Sequence, residues 1–514
     1  PGGDIMMQIG MNNEVLVIGA GRAGLAAAEK IAGQGYAVTM VESGADAGSV
    51  PGGIRVLEQE VLEKLEGFAG QFEAVFLRDG NRTRKTFGAV VAAPEYDTVV
   101  AGDPYGLTVG GKVIIQGMLE EYLASDAGLA KMKNGSGASV AFLTGYGKES
   151  CPENFERIIK SAIAVQKIEN CSSYLFAKNV KVGGEGLEKL FTEGRHQGVV
   201  CFKPEETPRV EQEGGGLTIR CMDPVVRTRM ELTPDYVVLE EIEVPGDAAV
   251  DLARRLKIDR DLDGYLQSNN VHRFPVNTNR EGIYVAQEAG SAVNIALRIN
   301  ELLYDGARSV PEDKVTVDSE RCVLCLTCYR CCPHGAITWN NDAAVISPVA
   351  CFGCGICASE CPMDAIQLGE FADDEVTRAV HEGATSGKSP AVVAFLCENS
   401  GLEAFETAKK RGAVFPEGVK AVRVPCAGKI DAAFIWKALA EGADGVMIAV
   451  CHEGNCRSEN GNSYAAWRVE EISRRLEAMG VDREKVVFVN LASNMADTLE
   501  KVVAGFVEKQ AVSG

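Results

Sequence analysis

Two stretches of the chain concentrate thiols, "CVLCLTCYRCCP" from Cys322 and "CFGCGICASECP" from Cys351. Nine of the 17 cysteines lie between Cys322 and Cys361. Each run has the form C-x2-C-x2-C-x3-C-P. Three cysteines stepped by three residues wrap a loop around one face of an iron–sulfur cube. The fourth, followed by proline, leaves the loop for the other cube. On that rule Cys322, Cys325, Cys328 and Cys361 hold one [4Fe–4S] cluster, and Cys332, Cys351, Cys354 and Cys357 hold the second. Pro333 marks Cys332 as the crossing ligand, so Cys331 is the spare and reads as a packed thiol. A structural zinc module would pair one C-x2-C with a distant C-x2-C or histidine pair, a pattern neither run follows.

Four further cysteines are placed for chemistry by the strands they terminate. Cys397, Cys426 and Cys451 each end a predicted strand, in "AVVAFLC", "AVRVPC" and "GVMIAVC", and Cys456 follows in "CHEGNCRSENGN". The carboxyl ends of parallel strands share one edge of an open sheet, where ligands bind. Four thiols meeting there suffice for a [2Fe–2S] cluster; four buried structural cysteines are the bland alternative. With four cysteines available, His452 is expected outside the ligand set. Cys151, Cys171, Cys201 and Cys221 share no spacing and read as core thiols.

A second kind of chemistry opens the chain. Gly19-Ala20-Gly21-Arg22-Ala23-Gly24 is a G-x-G-x-x-G turn directly after the apolar strand "EVLVIGA" and at the start of a helix. Gly19 permits the tight turn, Gly21 the approach of a pyrophosphate, and Gly24 close helix–strand packing, with the helix N-terminus facing the phosphates. Glu42 ends the next strand, where an acid accepts from ribose hydroxyls. The spacing and its context point to dinucleotide binding.

These residues need elements to position them. Residues 14–48 read strand, glycine turn, helix, strand, and "TFGAVVAA" reads as another buried strand. A mixed α/β stretch from about 112 to 240 is punctuated by "NGSGAS", "GGEG" and "EGGGL" and reads as a separate lobe. It holds no second G-x-G-x-x-G; "NGSGASVAFLTGYG" shows neither the spacing nor a strand ahead of it. "EGIYVAQEAG" then returns to the strand-to-helix pattern of the first segment. "ARSVPEDKVTVDSE" reads as a polar linker and "EGATSGKSP" as a flexible joint. The expected domains are 14–110 with 235–305, 111–234, 314–370 and 388–510.

The 514 residues suit about three domains. The net charge of −20 makes nucleic acid and anionic lipid surfaces poor partners. No stretch reads as a signal peptide or a membrane-spanning helix, so direct membrane insertion is not expected. The expected location is cytoplasmic, where metal binding outranks disulfides as the use of so many thiols. The chain begins "PGGDIMMQIG", and residues ahead of Glu14 carry no expected role.

The cysteine module closely resembles a bacterial two-cluster ferredoxin, with "AITW" and "AIQL" as its short strands. The discontinuous nucleotide domain resembles the FAD domain of the two-dinucleotide, thioredoxin-reductase-like flavoprotein fold. In that fold a G-[IV]-[YF]-[VA]-x-G-[DE] strand brings an acid to the flavin ribityl. Gly282-Ile283-Tyr284-Val285-Ala286 matches, Gln287 replaces the second glycine, and Glu288 takes the acid position. The FAD contacts implied are Gly19, Ala20, Gly21, Ala23, Gly24, Glu42, Ser43, Ala93 and Glu288. The fold class expected is therefore α/β: a two-dinucleotide-binding flavoprotein, a two-cluster ferredoxin module, then an open parallel α/β domain.

As a whole the chain resembles the A subunit of heterodisulfide reductase fused to a domain like the delta subunit of methyl-viologen-reducing hydrogenase. "VIGAGRAGLAAAEKIA", "FGAVVAAP", "FPVNTNREGIYVAQEAG", "RVPCAGKID" and "CHEGNCRSENGN" carry that likeness, together with the ferredoxin runs. It implies an FAD-containing electron-transfer subunit of a cytoplasmic complex in an anaerobe. Partners implied are heterodisulfide-reductase B- and C-like subunits, a hydrogenase, formate or NADH-type donor module, and ferredoxin; some such complexes bifurcate electrons. The family's lobe binds an extra cluster through a cysteine-rich stretch; here that region has only Cys151 and Cys171, so FAD, two [4Fe–4S] and one [2Fe–2S] are the cofactors expected. The delta-like domain opens with "FLCENSG", where relatives carry a denser cysteine motif. The competing reading is an NAD(P)H-oxidising flavoprotein of the glutamate synthase small-subunit type, against which the missing second glycine motif argues.

Overall fold

A computed structural model describes residues 6–42, 50, 52–133, 137–225, 227–267, 270–312 and 314–513. The chain divides into two compact units, Pro1–Pro94 with Ala249–Gly514, and Glu95–Ala248. Among the described residues no helix is long and apolar enough to cross a membrane.

The first unit opens on a five-stranded parallel sheet in the order Ile283–Val285, Ala89–Ala92, Glu14–Ile18, Ala37–Glu42, Ile54–Glu58. Its central strand is apolar on both faces because both are covered. Val15 and Val17 pack with Ala27 and Ile31 of the helix Arg22–Gly33 and with Ile295 and Ile299 of the helix Ala292–Leu303. Leu16 faces the other way, against Phe72, Phe76 and Phe87 of an antiparallel sheet formed by Val61–Phe68, Gln71–Arg78 and Asn81–Phe87.

Two sequence readings are corrected here. Residues ahead of Glu14 are not idle, and "ARSVPEDKVTVDSE" is not simply linker: Met6–Gly10 pairs antiparallel with Ala307–Pro311. The five-residue strands carry little apolar alternation, and Pro311 ends the second, so neither stands out as a strand.

The ferredoxin-like module is built from two short antiparallel ribbons, Thr316–Val317 with Ile366–Gln367 and Ile337–Trp339 with Ala344–Ile346. Each cysteine run ends in a short helix, Thr327–Cys331 in the first and Ile356–Ser359 in the second.

The C-terminal part is an open parallel sheet ordered Val419–Val424, Val392–Cys397, Gly445–Val450, Val486–Asn490. The helix Asp373–Ala384 joins one face through Val376 and Val380, beside Phe395 and Ile435. The opposite face is covered by Leu499, Val503 and Phe506 of the helix Ala496–Ser513. Despite the composition of "EGATSGKSP", this domain is docked on the cysteine module. Arg468 Nη2 lies 2.5 Å from Glu360 Oε1 and Ser359 Oγ donates to the Lys429 carbonyl at 2.8 Å, while a buried ion pair joins Arg273, ahead of the module, to Glu459. Composition reports the backbone of a joint and is blind to the side chains that close over it.

The second unit repeats the topology of the first. Ser139–Thr144, Ser172–Ala177 and Val200–Phe202 lie side by side, an antiparallel three-stranded sheet (Arg209–Glu213, Gly216–Asp223, Thr228–Leu232) follows, and Tyr236–Leu239 then enters beside Ser139–Thr144. Glu14–Ile18, Ala37–Glu42, Ile54–Glu58, the first antiparallel sheet and Ala89–Ala92 follow the same order. This is a two-dinucleotide-binding fold with both halves present. Asn134, Gly135 and Ser136 of "NGSGAS" lie outside the described residues. The stretch after them corrects the sequence reading: the strand Ser139–Thr144 runs directly into Gly145-Tyr146-Gly147, so a strand does precede a glycine pair.

Candidate functional site

At the N-terminal turn, Gly19 has φ +109°. A Cβ there would overlap the carbonyl oxygen of Ala93, and one at Gly24 would overlap the carbonyl oxygen of Gly19. Both approaches are fixed by backbone: Gly19 N donates to Val41 O at 2.9 Å and Ala93 N to Ile18 O at 2.8 Å. The helix starts after Gly21 with no side-chain cap and no acid in its first turn, which leaves its first amides for an anion. Ala20 is buried and Ala23 half-buried in this turn. Glu42 ends its strand in register with Glu58; its side chain, and Ser43, lie outside the described residues. Ala286 N donates to Ala92 O at 2.8 Å, so the strand before Glu288 ends at the same edge as the glycine turn. Glu288 precedes the turn Ala289–Ser291, its carbonyl accepting from Ser291 Oγ at 2.6 Å. Gln287 donates to Leu266 O at 3.3 Å, which gives the departure from glycine a local role.

The cysteine module contains two apolar cavities. One is bordered by Cys322, Cys325, Cys328 and Cys361 with Val317, Leu324 and Ile366. The other is bordered by Cys332, Cys351, Cys354 and Cys357 with Ile337, Ile346 and Leu368. Cys331 borders neither; its Sγ lies 3.4 Å from the Cys328 carbonyl, and burial pushes the thiol up to about 12. Burial also raises Cys354 and Cys357, and neighbouring thiols add to it. Thiolates packed this closely in an apolar shell need positive charge among them, which iron supplies, so the donor set fits the clusters. Among the described residues no three or more His, Cys, Asp or Glu side chains close on a point tightly enough for a single metal ion; these quartets border wider spaces.

The C-terminal quartet also converges. Cys397 is the last residue of its strand, Cys451 directly follows Gly445–Val450, and Cys426 lies two residues beyond Val419–Val424. Sγ of Cys397 and Cys451 are 3.9 Å apart, and those of Cys426 and Cys456 are 3.8 Å apart. All four are buried. Hydrogen bonds from the thiols of Cys397 and then Cys456 hold Cys451 far below the usual thiol range, while neighbouring thiols and burial push Cys426 well up. Gly461 makes the room, since a Cβ there would overlap Cys426 Sγ. His452 turns away, with Nε2 3.5 Å from Met495 Sδ.

The quartet and the second cavity are neighbours. Gly428, two residues after Cys426, packs against Ile356; a Cβ on it would lie 3.4 Å from the Cys354 carbonyl oxygen. Gly355 similarly abuts Lys429, which is fully buried and paired with Asp373. Cysteines of both sets fall within one apolar cluster around Ile356.

Residues 392–512 match the family described as methyl-viologen-reducing hydrogenase, delta subunit, and residues 314–362 match a 4Fe-4S dicluster domain. The vhu iron-sulfur D subunit of the F420-non-reducing hydrogenase of Methanopyrus kandleri is 36% identical over 118 residues, 23% of this chain and 89% of that protein. The A subunit of the ferredoxin:CoB-CoM heterodisulfide reductase of Methanosarcina mazei is 26% identical over 343 residues, 64% of this chain. The chain carries a C-terminal domain of the hydrogenase delta-subunit family, and the part ahead of it is similar to the A subunit of heterodisulfide reductase. It covers 43% of the length of the Methanosarcina mazei protein. Thioredoxin reductase of T. acidophilum aligns over 57% of the chain and 99% of its own length, with 14% identity and a TM-score of 0.35.

Several residues of this heterodisulfide-reductase-like chain escaped the sequence reading. His334 is buried against Phe352 at 4.2 Å between ring centroids, borders the second cavity, and has no partner for Nε2 among the described residues. Burial lowers it to about 4. Arg273 joins Glu459 beside Cys456 and lies 5.6 Å from the Phe352 ring. Asn270 donates to the Cys456 carbonyl at 2.6 Å. The only signal was placement: His334 sits two residues after Cys332, and Asn270 and Arg273 precede "FPVNTNREGIYV".

Proposed function

We propose that the chain is an FAD- and iron–sulfur-containing electron-transfer subunit of a cytoplasmic heterodisulfide-reductase-like complex. Its cofactors are FAD, two [4Fe–4S] clusters and one [2Fe–2S] cluster, on the cysteine quartets described above. The observation that carries the reading is the packing of Gly428, two residues after Cys426, against Ile356 and beside the Cys354 carbonyl. Thiol sets that share one apolar cluster suit a conduit for electrons, with no small-molecule pocket needed between them. Bound flavin supplies the exchange between electron pairs and single electrons. The protein's share is to seat the pyrophosphate on the Gly19–Gly24 turn, bury the thiols, and hold the sets together through Lys429, Arg468 and Arg273. Partners of the kind named in its relatives, a hydrogenase-type donor module, heterodisulfide-reductase-like subunits and ferredoxin, suit such a role.

Anaerobic purification followed by cofactor analysis tests this. The reading expects one FAD and about ten iron atoms per chain. About eight would remove the C-terminal cluster, and zinc in place of iron would overturn the function. A sharper expectation separates adjacent thiols. Cys331→Ser should keep both cubes, because Cys331 borders neither cavity, whereas Cys332→Ser should damage the cube of Cys351, Cys354 and Cys357. Iron content and the visible spectrum of the two variants decide it.

The NAD(P)H-oxidising alternative is disfavoured by the second unit. Glu240 directly follows Tyr236–Leu239, as Ala93 follows Ala89–Ala92 in the first. Its buried carboxylate accepts from Gly145 N at 3.1 Å, from Thr144 Oγ1 at 2.8 Å and from Ser150 Oγ. The carboxyl thus takes the turn amide that a pyrophosphate would use. Stopped-flow mixing of the flavin-loaded protein with NADH or NADPH should give no flavin bleaching within the turnover time; rapid bleaching by either would reinstate the alternative.

A further inference from the structure

One cavity in the first unit is neither at the glycine turn nor a cysteine cavity. It encloses about 900 Å³ and is bordered by Lys64, Arg254, Lys257, Arg260, Arg280 and Arg330, against only two acids, Glu66 and Asp259. Such a concentration of positive charge is unexpected in a chain of net charge −20. Lys64 is paired with Glu66 and Arg254 with Asp251. The others have no carboxylate partner among the described residues. Lys257 rests on the Tyr329 hydroxyl and ring, Arg330 reaches the Cys325 carbonyl, and Arg260 is exposed. Arg280 is only 4% exposed and is held by the carbonyls of Leu256 and Gly67.

The cavity also borders Cys332, which lines the second cysteine cavity as well. The cationic cavity and the second cysteine cavity therefore share Cys332 as a wall residue. Trp339 stands half exposed at its margin.

We propose that this cationic cavity is the docking seat of an acidic one-electron carrier protein, which exchanges electrons there with the cube bordered by Cys332. The proposal rests on the electron-transfer reading above and gives that reading a place on the surface. One electron moves per encounter: the carrier is oxidised by one, the cube is reduced by one, and no bond or proton is involved. Opposite charge favours this partner, because long-range attraction between a cationic patch and an acidic face raises the encounter rate while the wider acidic surface repels wrong orientations.

The test uses the full chain, purified anaerobically with its clusters, and an acidic bacterial-type two-cluster ferredoxin reduced beforehand with excess reductant removed. Stopped-flow spectroscopy measures the second-order rate over a range of ionic strength. The expected result is a rate that falls steeply with salt. The Lys257→Glu/Arg260→Glu double variant should lose tenfold or more at low salt, a size typical of electrostatic steering at about 10–10³, and its salt dependence should flatten. Iron content and reduction by dithionite should stay as in the parent. A second variant, Lys409→Glu/Lys410→Glu, reverses charge on the helix Glu403–Lys410, whose residues do not border the cavity, and should leave the rate unchanged. Equal losses in both double variants, or a rate indifferent to Lys257 and Arg260 in protein with intact cubes, would overturn the docking seat alone. Absence of the cubes from the parent protein would overturn the function, and the docking with it.

Discussion

Serine at both Cys451 and Cys456 is expected to lower donor-driven turnover by orders of magnitude while dithionite still reduces the flavin. The two residues come from the two close thiol pairs, Cys397 with Cys451 and Cys426 with Cys456, so the double change takes one donor from each. Hydroxyls at those positions bind iron far less well than thiolates. The loss should be local. Glu459 with Arg273, Glu360 with Arg468, and Asp373 with Lys429 hold the domain to its neighbours by contacts that the change leaves alone. Gly428 against Ile356 likewise remains. If the C-terminal quartet is the entry from a partner, the physiological donor loses its route while a small reductant keeps its own. The measurement is turnover in the purified complex beside chemical reduction of the same sample. Unchanged donor-driven turnover, with the cluster shown to be absent by its spectrum, would remove the entry role.

The parts that could be read from the sequence are those in which chemistry and spacing lie within one short segment. Cys322 to Cys332 and Cys351 to Cys361 carry their pattern in a dozen residues each, and the structure puts each expected quartet around a separate cavity. The strands that end at Cys397 and just before Cys451 are equally plain, because six consecutive apolar residues bounded by turn residues can only be buried strand or buried helix, and their length favours strand. What escaped is long-range in sequence. Arg280 reaches the cysteine module through Gly335, and Arg273 reaches Glu459 across 186 residues. A single charged residue in a polar segment reads as solvated surface until its partner is known. The cationic cavity is assembled from positions 64, 254, 257, 260, 280 and 330, so no window of the sequence contains it. The role of Glu240 was hidden for another reason: its meaning appears only when the two halves of the fold are laid strand against strand, and Ala93 is seen at the matching position.

Alanine at Gly19 should abolish flavin binding while the iron content stays at its parent value. The residue lies at φ +109°, a conformation that costs an L side chain about 1–2 kcal/mol before any contact is counted. The new methyl would also overlap the Ala93 carbonyl oxygen. That oxygen belongs to backbone, and Ala93 N is tied to Ile18 O at 2.8 Å, so no flexible side chain can move aside. Relief would come from opening the strand-to-helix turn, which shifts Gly21 and the first amides of the helix away from the pyrophosphate. The cubes and the C-terminal quartet stand on other elements and should survive. Gly33→Ala, in the last turn of the same helix, is the matched control. A Cβ there meets nothing within 4 Å, so the variant should keep its flavin and gain roughly 0.5–1 kcal/mol of helix stability. Flavin released by denaturation, measured against iron in the same sample, separates the outcomes. A Gly19→Ala protein that retains a full complement of flavin would show that this turn is not where the dinucleotide sits.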